Sequence, residues 1–469
     1  MSDQPNVIIF FTDQQRWDCS SLHGNPLDLM PNFDRIATRG THIFNSFTCQ
    51  PVCGPARSCL QTGQYATNTG VWRNGLGLKD DARTLAHCFS GAGYHTGYFG
   101  KWHLGGEHHD RRKGIGGAVS APGRGGWEEW LAVEALEFSD DEYHVLLYDN
   151  DDQPVRLPGY RVDAVADAAI RFVDRNQDRP FAMMVSFIEP HHQNDKDDYP
   201  PPEGYRERYA GRWTPPDLAG LPSYNEGAEL TVGGTAQQHL GGYWGQVKRL
   251  DEAFGRMMDA LKSLGLEENT IVLFTSDHAC HFRTRNSEYK RSCHEASIRV
   301  PTLLTGGPFT GGGSVRELVS LVDLPPTLLE ACGLDVPETM EGRSIMPLLH
   351  GRGRDADWPE EVFVQISEAQ IGRSVRTGRW KYSVRSVDDS HDGAGGASKY
   401  EEEFLYDLHY DPYELRNLIR QESHTPVRQV MRERLLRRMA EAGEDSPTIV
   451  EAQTVPSGQR SVEEHEVCQ

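Results

Sequence analysis

The chain has 469 residues, of which 37% are hydrophobic and 25% are charged. This composition is typical of a globular protein, and the length allows one large α/β domain or two to three smaller ones. The formal net charge of -21 argues against nucleic acid as a partner, because a phosphate backbone requires a basic surface. No apolar run approaches the roughly 18 residues that a membrane-spanning helix requires.

The N-terminal residues and the cysteines both predict a cytoplasmic protein. Residues 1–5 contain no basic segment and no small-residue cleavage site, so we expect no signal peptide. The nine cysteines are odd in number and have no framework spacing. In so long a chain, that pattern favours reduced thiols over a disulfide scaffold.

Three continuous apolar runs predict buried strands at Asn6–Thr12, Phe181–Phe187 and Thr270–Ser276. Helical patterns accompany them, notably over residues 236–264 and 323–332. Strands that alternate with helices predict a doubly wound α/β sheet, in which ligands bind beyond the carboxyl ends of the strands. We therefore expect the polar residues that follow the three runs to meet at one edge of the sheet.

Other stretches of the chain differ in composition and in hydrophobic periodicity. Residues 105–158 are rich in Gly, Asp and Glu and have weak periodicity, so we expect an irregular excursion over the functional face. Short alternating runs within residues 362–407 predict antiparallel strands, and residues 427–442 predict a helix. These features divide the chain into a main domain that carries the site (1–359), a C-terminal subdomain (360–443) and an extended tail (444–469).

Two polar pairs directly follow predicted strands. Asp13 and Gln14 follow the first run, and Asp277 and His278 follow the third. Carboxylate and amide oxygens suit Ca²⁺, Mg²⁺ or Mn²⁺, whereas a histidine nitrogen shifts the preference toward Mn²⁺ or Zn²⁺. Either pair alone could simply end a strand, but two pairs at one sheet edge predict a site for a single divalent cation.

The most specific motif begins at Cys53. Residues 53–57 read Cys-x-Pro-x-Arg, and Leu-x-Thr-Gly follows at residues 60–63. Cys49 also has a proline two residues further on, but the fourth position after it is Cys53 and not an arginine. Cys53, with Arg57, is therefore the cysteine that satisfies the whole pattern.

The segment Gly100–Gly105 reads Gly-Lys-Trp-His-Leu-Gly. Residues two apart on an extended segment face the same side, so Lys101 and His103 can both contact one anion. The alternative is a solvated lysine and a capping histidine, which the flanking glycines and the adjacent apolar residues disfavour.

Histidines and cations recur in later segments. A Glu-Pro-His-His sequence supplies His191, directly after the proline, with His192 as the alternative. Lys290 precedes a glutamate by five positions, and an Arg and a Pro follow. Arg283 and Arg285 belong to a stretch that is unusually basic for so acidic a chain. We interpret them, together with His192, as contacts for an anionic or polyhydroxylated substrate.

In their order along the chain, these motifs resemble those of type I sulfatases, and Tyr-Asp-Leu…Asp-Pro-x-Glu at residues 406–414 extends the resemblance to the C-terminus. The resemblance implies an alkaline-phosphatase-like α/β fold: a large mixed sheet sandwiched by helices, and a smaller C-terminal subdomain of antiparallel strands and a helix. It implies hydrolysis of a sulfate ester by a formylglycine, which a formylglycine-generating enzyme forms from Cys53. The implied cofactor is one divalent cation, with Ca²⁺ first and Mn²⁺, Mg²⁺ or Zn²⁺ as alternatives.

The resemblance also implies a role for each motif residue. Arg57, Lys101 and Lys290 would neutralise charge on the sulfuryl oxygens. His191 or Lys290 would assist the leaving oxygen, and His103 would deprotonate the second hydroxyl of the hydrated formylglycine. The cation would be held by Asp13, Gln14, Asp277 and His278.

Several alternatives remain at this point. The same charges would stabilise a phosphoryl group, so phosphonate monoester or phosphodiester hydrolysis is the second candidate. An unmodified Cys53 thiol nucleophile and a binding protein with a decayed site explain fewer of the motifs. We expect the substrate to be a sulfated sugar or short oligosaccharide, with aryl sulfates as surrogates. The sequence is compatible with a homo-oligomer, and we expect no membrane partner.

Overall fold

The computed structural model describes residues 4–109, 116–138, 141–224, 230–232, 234–349, 357–387 and 394–467. The strands in chain order are β1 (Asn6–Thr12), β2 (Thr41–Phe47), β3 (His95–Lys101), β4 (Glu129–Val133), β5 (His144–Tyr148), β6 (Pro154–Pro158), β7 (Phe181–Ser186), β8 (Pro222–Tyr224), β9 (Leu230–Val232), β10 (Thr270–Ser276), β11 (Thr302–Thr305), β12 (Gly313–Ser320), β13 (Glu361–Ile366), β14 (Gly372–Thr377), β15 (Trp380–Ser386), β16 (Lys399–Asp407) and β17 (Thr448–Val450). The helices are α1 (Pro31–Ala37), α2 (Cys53–Thr62), α3 (Ala66–Thr69), α4 (Leu85–Gly91), α5 (Arg161–Arg175), α6 (Tyr205–Tyr209), α7 (Pro216–Gly220), α8 (Gly234–Ser263), α9 (Glu295–Ile298), α10 (Leu324–Ala331) and α11 (Thr425–Glu441).

A large mixed sheet forms the centre of the fold. Within the described residues its strand order is β12-β2-β11-β10-β1-β7-β3-β4-β5-β6. Strand β1 lies between β10 and β7 and runs parallel to both. The three predicted apolar runs are therefore adjacent central strands, and their carboxyl ends meet at one edge of the sheet as expected.

Both faces of this sheet are covered by helices. Side chains of a strand alternate between the two faces, and in β1 both sets are fully buried. Ile9 lies in a cluster with side chains of α2, α4 and α10, whereas Phe10 lies in a cluster with side chains of α1, α5 and α8. This arrangement confirms the predicted sheet sandwiched by helices, and it explains why β1 is apolar at every position from Val7 to Phe11.

The expectation of an irregular excursion over residues 105–158 is wrong in part. Three strands of five residues, β4, β5 and β6, extend the main sheet beyond β3. Strand β4 pairs parallel to β3, and β5 and β6 continue antiparallel. These strands are short, and alternate positions of β6 are exposed, so their sequences carry only a weak hydrophobic pattern. Pairing with neighbouring strands determines that they form.

A smaller sheet follows near the C-terminus. Strands β13 to β16 are antiparallel, as predicted, and α11 contacts β13, β14 and β15. Strand β17, which lies within the predicted tail, adds to β16 in parallel. The domain boundaries themselves stay predictions.

Two further sequence expectations concern cysteines and membranes. Every cysteine within the described ranges is a free thiol. In that part of the chain, no helix combines the length and apolar character needed to cross a membrane.

Candidate active site

Cys53 lies at the first position of α2, directly beyond the carboxyl-end edge of the main sheet. Its side chain is buried, with Sγ 2.9 Å from Lys290 Nζ and 3.3 Å from His278 Nε2. Burial alone would raise the pKa of this thiol, but the charges of Lys101 and Lys290 lower it well below the usual range. The position therefore favours an anion or a polarised hydroxyl at residue 53.

Arg57, one turn further along α2, connects this helix to the strand ends. Its Nη2 lies 3.0 Å from Asp13 Oδ2 and 3.3 Å from Asp277 Oδ2. Its Nη1 donates to Ser186 Oγ at 2.6 Å and to the Lys101 carbonyl at 3.0 Å. The buried guanidinium thus fixes the motif helix against β1, β3, β7 and β10.

Two buried carboxylates meet at the ends of β1 and β10. Asp13 Oδ1 and Asp277 Oδ1 each lie 3.6 Å from His278 Nε2. Burial and the neighbouring Asp13 charge raise the pKa of Asp277 to about 7. The pKa of Asp13 is lowered instead, because Lys101 and other cations outweigh its burial. Such a pair of carboxylates calls for a cation between them.

The donor set at this position fits a divalent cation. His278 Nδ1 lies 3.0 Å from the Ala279 carbonyl, so Nδ1 carries the proton and the Nε2 lone pair faces the carboxylates. Asp277 Oδ2 is buried and lies 3.3 Å from Arg57 Nη2, but it makes no hydrogen bond among the described residues. Ligand atoms of Asp13, Cys53, Asp277 and His278 lie within 4.8 Å of one another. These residues could hold a metal ion with oxygen and nitrogen ligands.

Gln14 lies beside this cluster, but its amide already has partners. Oε1 accepts the His192 backbone N–H at 3.2 Å, and Nε2 lies 3.3 Å from Cys280 Sγ. The backbone N–H of Gln14 donates to Asp277 Oδ1 at 3.0 Å. Metal ligation by Gln14 would use the second lone pair of Oε1, and it stays a prediction.

Lys101, the last residue of β3, is held by two carboxylates. Its Nζ lies 2.8 Å from Asp13 Oδ2 and 3.2 Å from Glu137 Oε1. Glu137 is a site residue that sequence reasoning missed, since it belongs to no motif and reaches Lys101 only through the fold. His103, two residues after Lys101, lines the same cavity as Cys53.

Lys290 and His191 form a donor–acceptor pair next to Cys53. Lys290 Nζ lies 2.9 Å from His191 Nε2, and His191 Nδ1 lies 2.6 Å from the His192 carbonyl. The proton of the neutral ring is therefore on Nδ1, and Nε2 accepts from the ammonium. Burial and the Lys290 charge lower the pKa of His191, so a proton for a departing oxygen would come through this pair.

The three residues predicted to contact substrate do not all lie at the cavity. His192 lines the cavity and stacks on Tyr289, with ring centroids 4.1 Å apart. The Arg283 guanidinium lies 4.6 Å from the centroid of the same tyrosine ring. Arg285 points elsewhere: its guanidinium donates to the carbonyls of Tyr413 and Glu414 at 2.7 and 2.8 Å. It ties the loop before α9 to the C-terminal region and does not line the cavity.

A cavity of about 530 Å³ opens onto Cys53. Its wall includes aromatic, acidic and amide side chains in addition to predicted residues. Arg291, which belongs to the basic stretch singled out in the sequence, lines the cavity. Sequence reasoning missed the lining side chains of Asn74, His109, Glu134, Glu137, Phe138, Asn194, Glu288 and Tyr289. Tyr289 directly precedes the motif residue Lys290, which was a usable signal; the others come from loops whose course the sequence does not reveal.

Two family profiles match the chain. The family described as Sulfatase matches residues 5–334, the part that includes every motif residue of the site. The family described as N-sulphoglucosamine sulphohydrolase, C-terminal, matches residues 288–441, the part that forms most of the smaller sheet and α11.

Similar proteins share most of the length of this chain. An ulvan-active sulfatase of Formosa agariphila is 28% identical over 94% of this chain and 82% of its own length. An N-acetylglucosamine-6-O-sulfatase of Bacteroides thetaiotaomicron is 24% identical over 88% of this chain and 82% of its own. A protein solved in complex with its substrate D-glucosamine-2-N,6-O-disulfate superposes with a TM-score of 0.75 at 22% identity, covering 95% of this chain and 99% of that one.

Proposed function

Because this chain belongs to the sulfatase family, with its alkaline-phosphatase-like fold, and is a sulfuric ester hydrolase, we propose that its nucleophile is a formylglycine formed from Cys53. The observation that carries the proposal is the position of Cys53 Sγ, buried at the start of α2. There it lies 2.9 Å from Lys290 Nζ and within 4.8 Å of ligand atoms of Asp13, Asp277 and His278. An aldehyde at this position, once hydrated, presents two hydroxyl groups to the same charges.

The residues around position 53 can perform both halves of the reaction. One hydroxyl releases its proton to water and attacks the sulfur as an alkoxide, while Lys101, Lys290 and Arg57 stabilise charge on the sulfuryl oxygens. The bond from sulfur to the alcohol oxygen breaks, and that oxygen takes a proton from the Lys290–His191 pair. His103 then removes the proton of the second hydroxyl, the carbon–oxygen bond to sulfate breaks, and the aldehyde forms again.

We propose that Asp13, Asp277 and His278 hold one divalent cation, with Gln14 as a fourth ligand. When bound, the ion would supply positive charge that lowers the pKa of the attacking hydroxyl. The resemblance to sulfatases favours Ca²⁺. The His278 nitrogen favours Mn²⁺ or Zn²⁺ over Ca²⁺ and Mg²⁺, which prefer oxygen ligands.

For the substrate, we propose a sulfate ester of a sugar or short oligosaccharide. The cavity of about 530 Å³ suits a small molecule, and its acidic and amide side chains can accept and donate hydrogen bonds with sugar hydroxyls. Two of the wall carboxylates are already paired with cations, Glu137 with Lys101 at 3.2 Å and Glu288 with Arg291 at 2.9 Å. Two similar proteins are named for activity on sulfated carbohydrates, ulvan and N-acetylglucosamine 6-O-sulfate.

The test combines mass spectrometry with a substrate screen. Protein made together with a formylglycine-generating enzyme should lose mass at Cys53, by conversion of thiol to aldehyde, and not at Cys49 or Cys59. Cys53→Ala should abolish turnover of aryl sulfates, whereas Cys88→Ala, a buried cysteine outside the cavity wall, should retain it. Turnover of aryl sulfates by Cys53→Ala would contradict the proposal.

The same screen decides between ester classes. Sulfated sugars and aryl sulfates should be hydrolysed faster than matched phosphonate monoesters and phosphodiesters. A preference for the phosphorus esters would move the assignment to the alternative hydrolase.

A further inference from the structure

A second group of metal-ligand atoms lies beside the substrate cavity, apart from Asp13, Asp277 and His278. It consists of His192, Asp197 and His239, which each place one nitrogen or oxygen atom within 4.8 Å of the other two. His192 follows β7, Asp197 lies five residues further on, and His239 projects from α8. Two separate parts of the fold therefore bring two imidazoles and one carboxylate together.

His239 is the unexplained member of this group. The residue is only 5% exposed, yet neither ring nitrogen has a hydrogen-bond partner among the described residues. Asp198 Oδ1 lies 3.8 Å from Nδ1, which is too far for a hydrogen bond. An imidazole ring in either tautomer carries one N–H and one nitrogen lone pair, and neither has a partner here in the described part of the chain. A buried polar group of this kind requires a partner.

His192 and Asp197 supply the remaining atoms. His192 Nε2 lies 2.9 Å from Asp197 Oδ1. The rings of His192 and His239 are nearly perpendicular, with centroids 5.8 Å apart, so their edges can approach one point from different directions. We propose that His192, Asp197 and His239 bind a second divalent ion, of the zinc class, at the wall of the substrate cavity.

The neighbours of Asp197 decide which kind of ion fits. Tyr289 Oη donates to Asp197 Oδ1 at 3.0 Å, and Arg283 Nη2 lies 3.7 Å from the same oxygen. Part of the carboxylate charge is therefore already compensated. Ca²⁺ requires six to eight oxygen ligands, and this group offers one carboxylate. Zn²⁺ is satisfied by two imidazoles, one carboxylate and a fourth ligand.

The fourth position would face the substrate. His192 lines the cavity, and the Asp197 side chain is 60% exposed. A water molecule or a substrate hydroxyl could complete the coordination there. His192, predicted above as a direct substrate contact, would then act on the substrate through the ion.

Metal stoichiometry tests this site independently of catalysis. Untagged protein is equilibrated with Zn²⁺, dialysed and analysed for bound metal. Asp197→Ala and His239→Gln should each hold one equivalent less than the parent protein. Asp277→Asn should lose a different equivalent, so that Asp197→Ala combined with Asp277→Asn loses both. Because Asp197 is largely exposed, Asp197→Ala leaves the fold intact even if His239→Gln does not.

The chain offers a matched control. Ligand atoms of Asp80, Glu107 and His108 also lie within 4.8 Å of one another, but these residues are more exposed, and His108 is paired with Asp80. His108→Ala should leave the zinc content unchanged. Substitution with Co²⁺ adds a spectroscopic measurement: the visible absorption of a nitrogen-coordinated ion should persist in Asp277→Asn and weaken in Asp197→Ala. Parent stoichiometry and an unchanged spectrum in Asp197→Ala would overturn the proposal.

Discussion

The two lysines nearest to Cys53 differ in the groups that neutralise them. Lys101 contacts the carboxylates of Asp13 and Glu137. Lys290 contacts the Cys53 sulfur and the neutral His191 ring. The charge of Lys290 is therefore directed at residue 53, whereas much of the Lys101 charge compensates the carboxylates of Asp13 and Glu137.

This difference predicts a large effect of Lys290→Ala. Loss of a buried ammonium that stabilises the transition-state charge should lower kcat/KM for an aryl sulfate by about 10²-fold or more. Steady-state kinetics measures the change. Lys262→Ala, on the exposed end of α8, serves as the control and should match the parent. A decrease of less than about threefold for Lys290→Ala would contradict this role.

Asp277→Asn should separate metal binding from folding. The amide keeps the shape of the side chain but removes one anionic ligand, so bound metal and turnover should both decrease strongly. Elemental analysis and activity are measured on the same samples. Asp335→Asn, at an exposed position, should change neither. An Asp277→Asn protein with full activity and no metal would refute the cation site.

Arg283 and Arg285, two residues apart, should respond differently to alanine substitution. Arg283 lies over the cavity residue Tyr289, so Arg283→Ala should raise KM for a sulfated sugar more than for an aryl sulfate. Arg285 instead bonds to two C-terminal carbonyls, so Arg285→Ala should lower Tm and leave KM unchanged. The opposite pattern would show that the assignment of these two arginines is reversed.

At the scale of elements, α8 stabilises the start of α1 through one side chain. Asp251 on α8 accepts the backbone N–H groups of Phe33 at 2.8 Å and Asn32 at 3.1 Å. These are orphan donors in the first turn of α1, whose preceding residue, Met30, makes no side-chain cap. A residue distant in sequence thus provides the cap that the local sequence lacks.

Asp251→Ala should therefore destabilise the fold by about 1–2 kcal/mol, the usual cost of losing a helix cap. Denaturant unfolding at constant metal concentration measures the loss. Asp259→Ala removes an exposed carboxylate from the same helix and should have little effect. Equal stability of the two variants would mean that the cap contributes nothing.

Strands that are buried on both faces could be predicted from the sequence, and exposed ones could not. Strands β1 and β10 were predicted at their observed bounds, and β7 with one extra residue, because strands buried on both faces are apolar throughout. The helix predicted at 236–264 is α8, at Gly234–Ser263. Strand β6 was missed because its side chains alternate between exposed and half-buried, so its own sequence carries little hydrophobic pattern and pairing with β5 determines it.

At the scale of the whole molecule, the net charge of -21 acts on every approaching polyanion. At low salt the repulsion extends over about 30 Å, whereas near 1 M salt it extends over about 3 Å. A sulfated monosaccharide carries little charge and is repelled weakly. A long sulfated polysaccharide carries many charges, and each of those near the protein is repelled.

We therefore predict that short sulfated oligosaccharides are hydrolysed more efficiently than intact sulfated polysaccharide. Raising the ionic strength should increase kcat/KM for the polysaccharide more than for the monosaccharide, because screening removes the repulsion. Sulfate release at several salt concentrations measures both. Rapid hydrolysis of the polysaccharide at low salt, with short oligosaccharides untouched, would show that local basic residues dominate.

The predicted site comes together because the fold brings strand ends to one edge. Asp13 and Asp277 are far apart in sequence but follow adjacent parallel strands, and that relation could be inferred from two apolar runs. Glu137 could not be predicted, because its contact with Lys101 depends on the path of the chain after β4. Motif spacing predicts which residues act on the sulfate group, but it does not predict those that surround the rest of the substrate.

Strand β17 has a consequence for the newly synthesised chain. It pairs with the first three residues of β16 through residues 448–450, and nearby hydrogen bonds between Ala452 and Glu402 and between Val455 and Arg420 hold this segment in place. Residues 448–450 leave the ribosome after β13 to β16, so β16 presents unpaired backbone groups while the rest of the small sheet is already available to fold. An open edge of this kind can pair with another chain. Early termination before Thr448 would therefore promote self-association of copies rather than a simple loss of the tail.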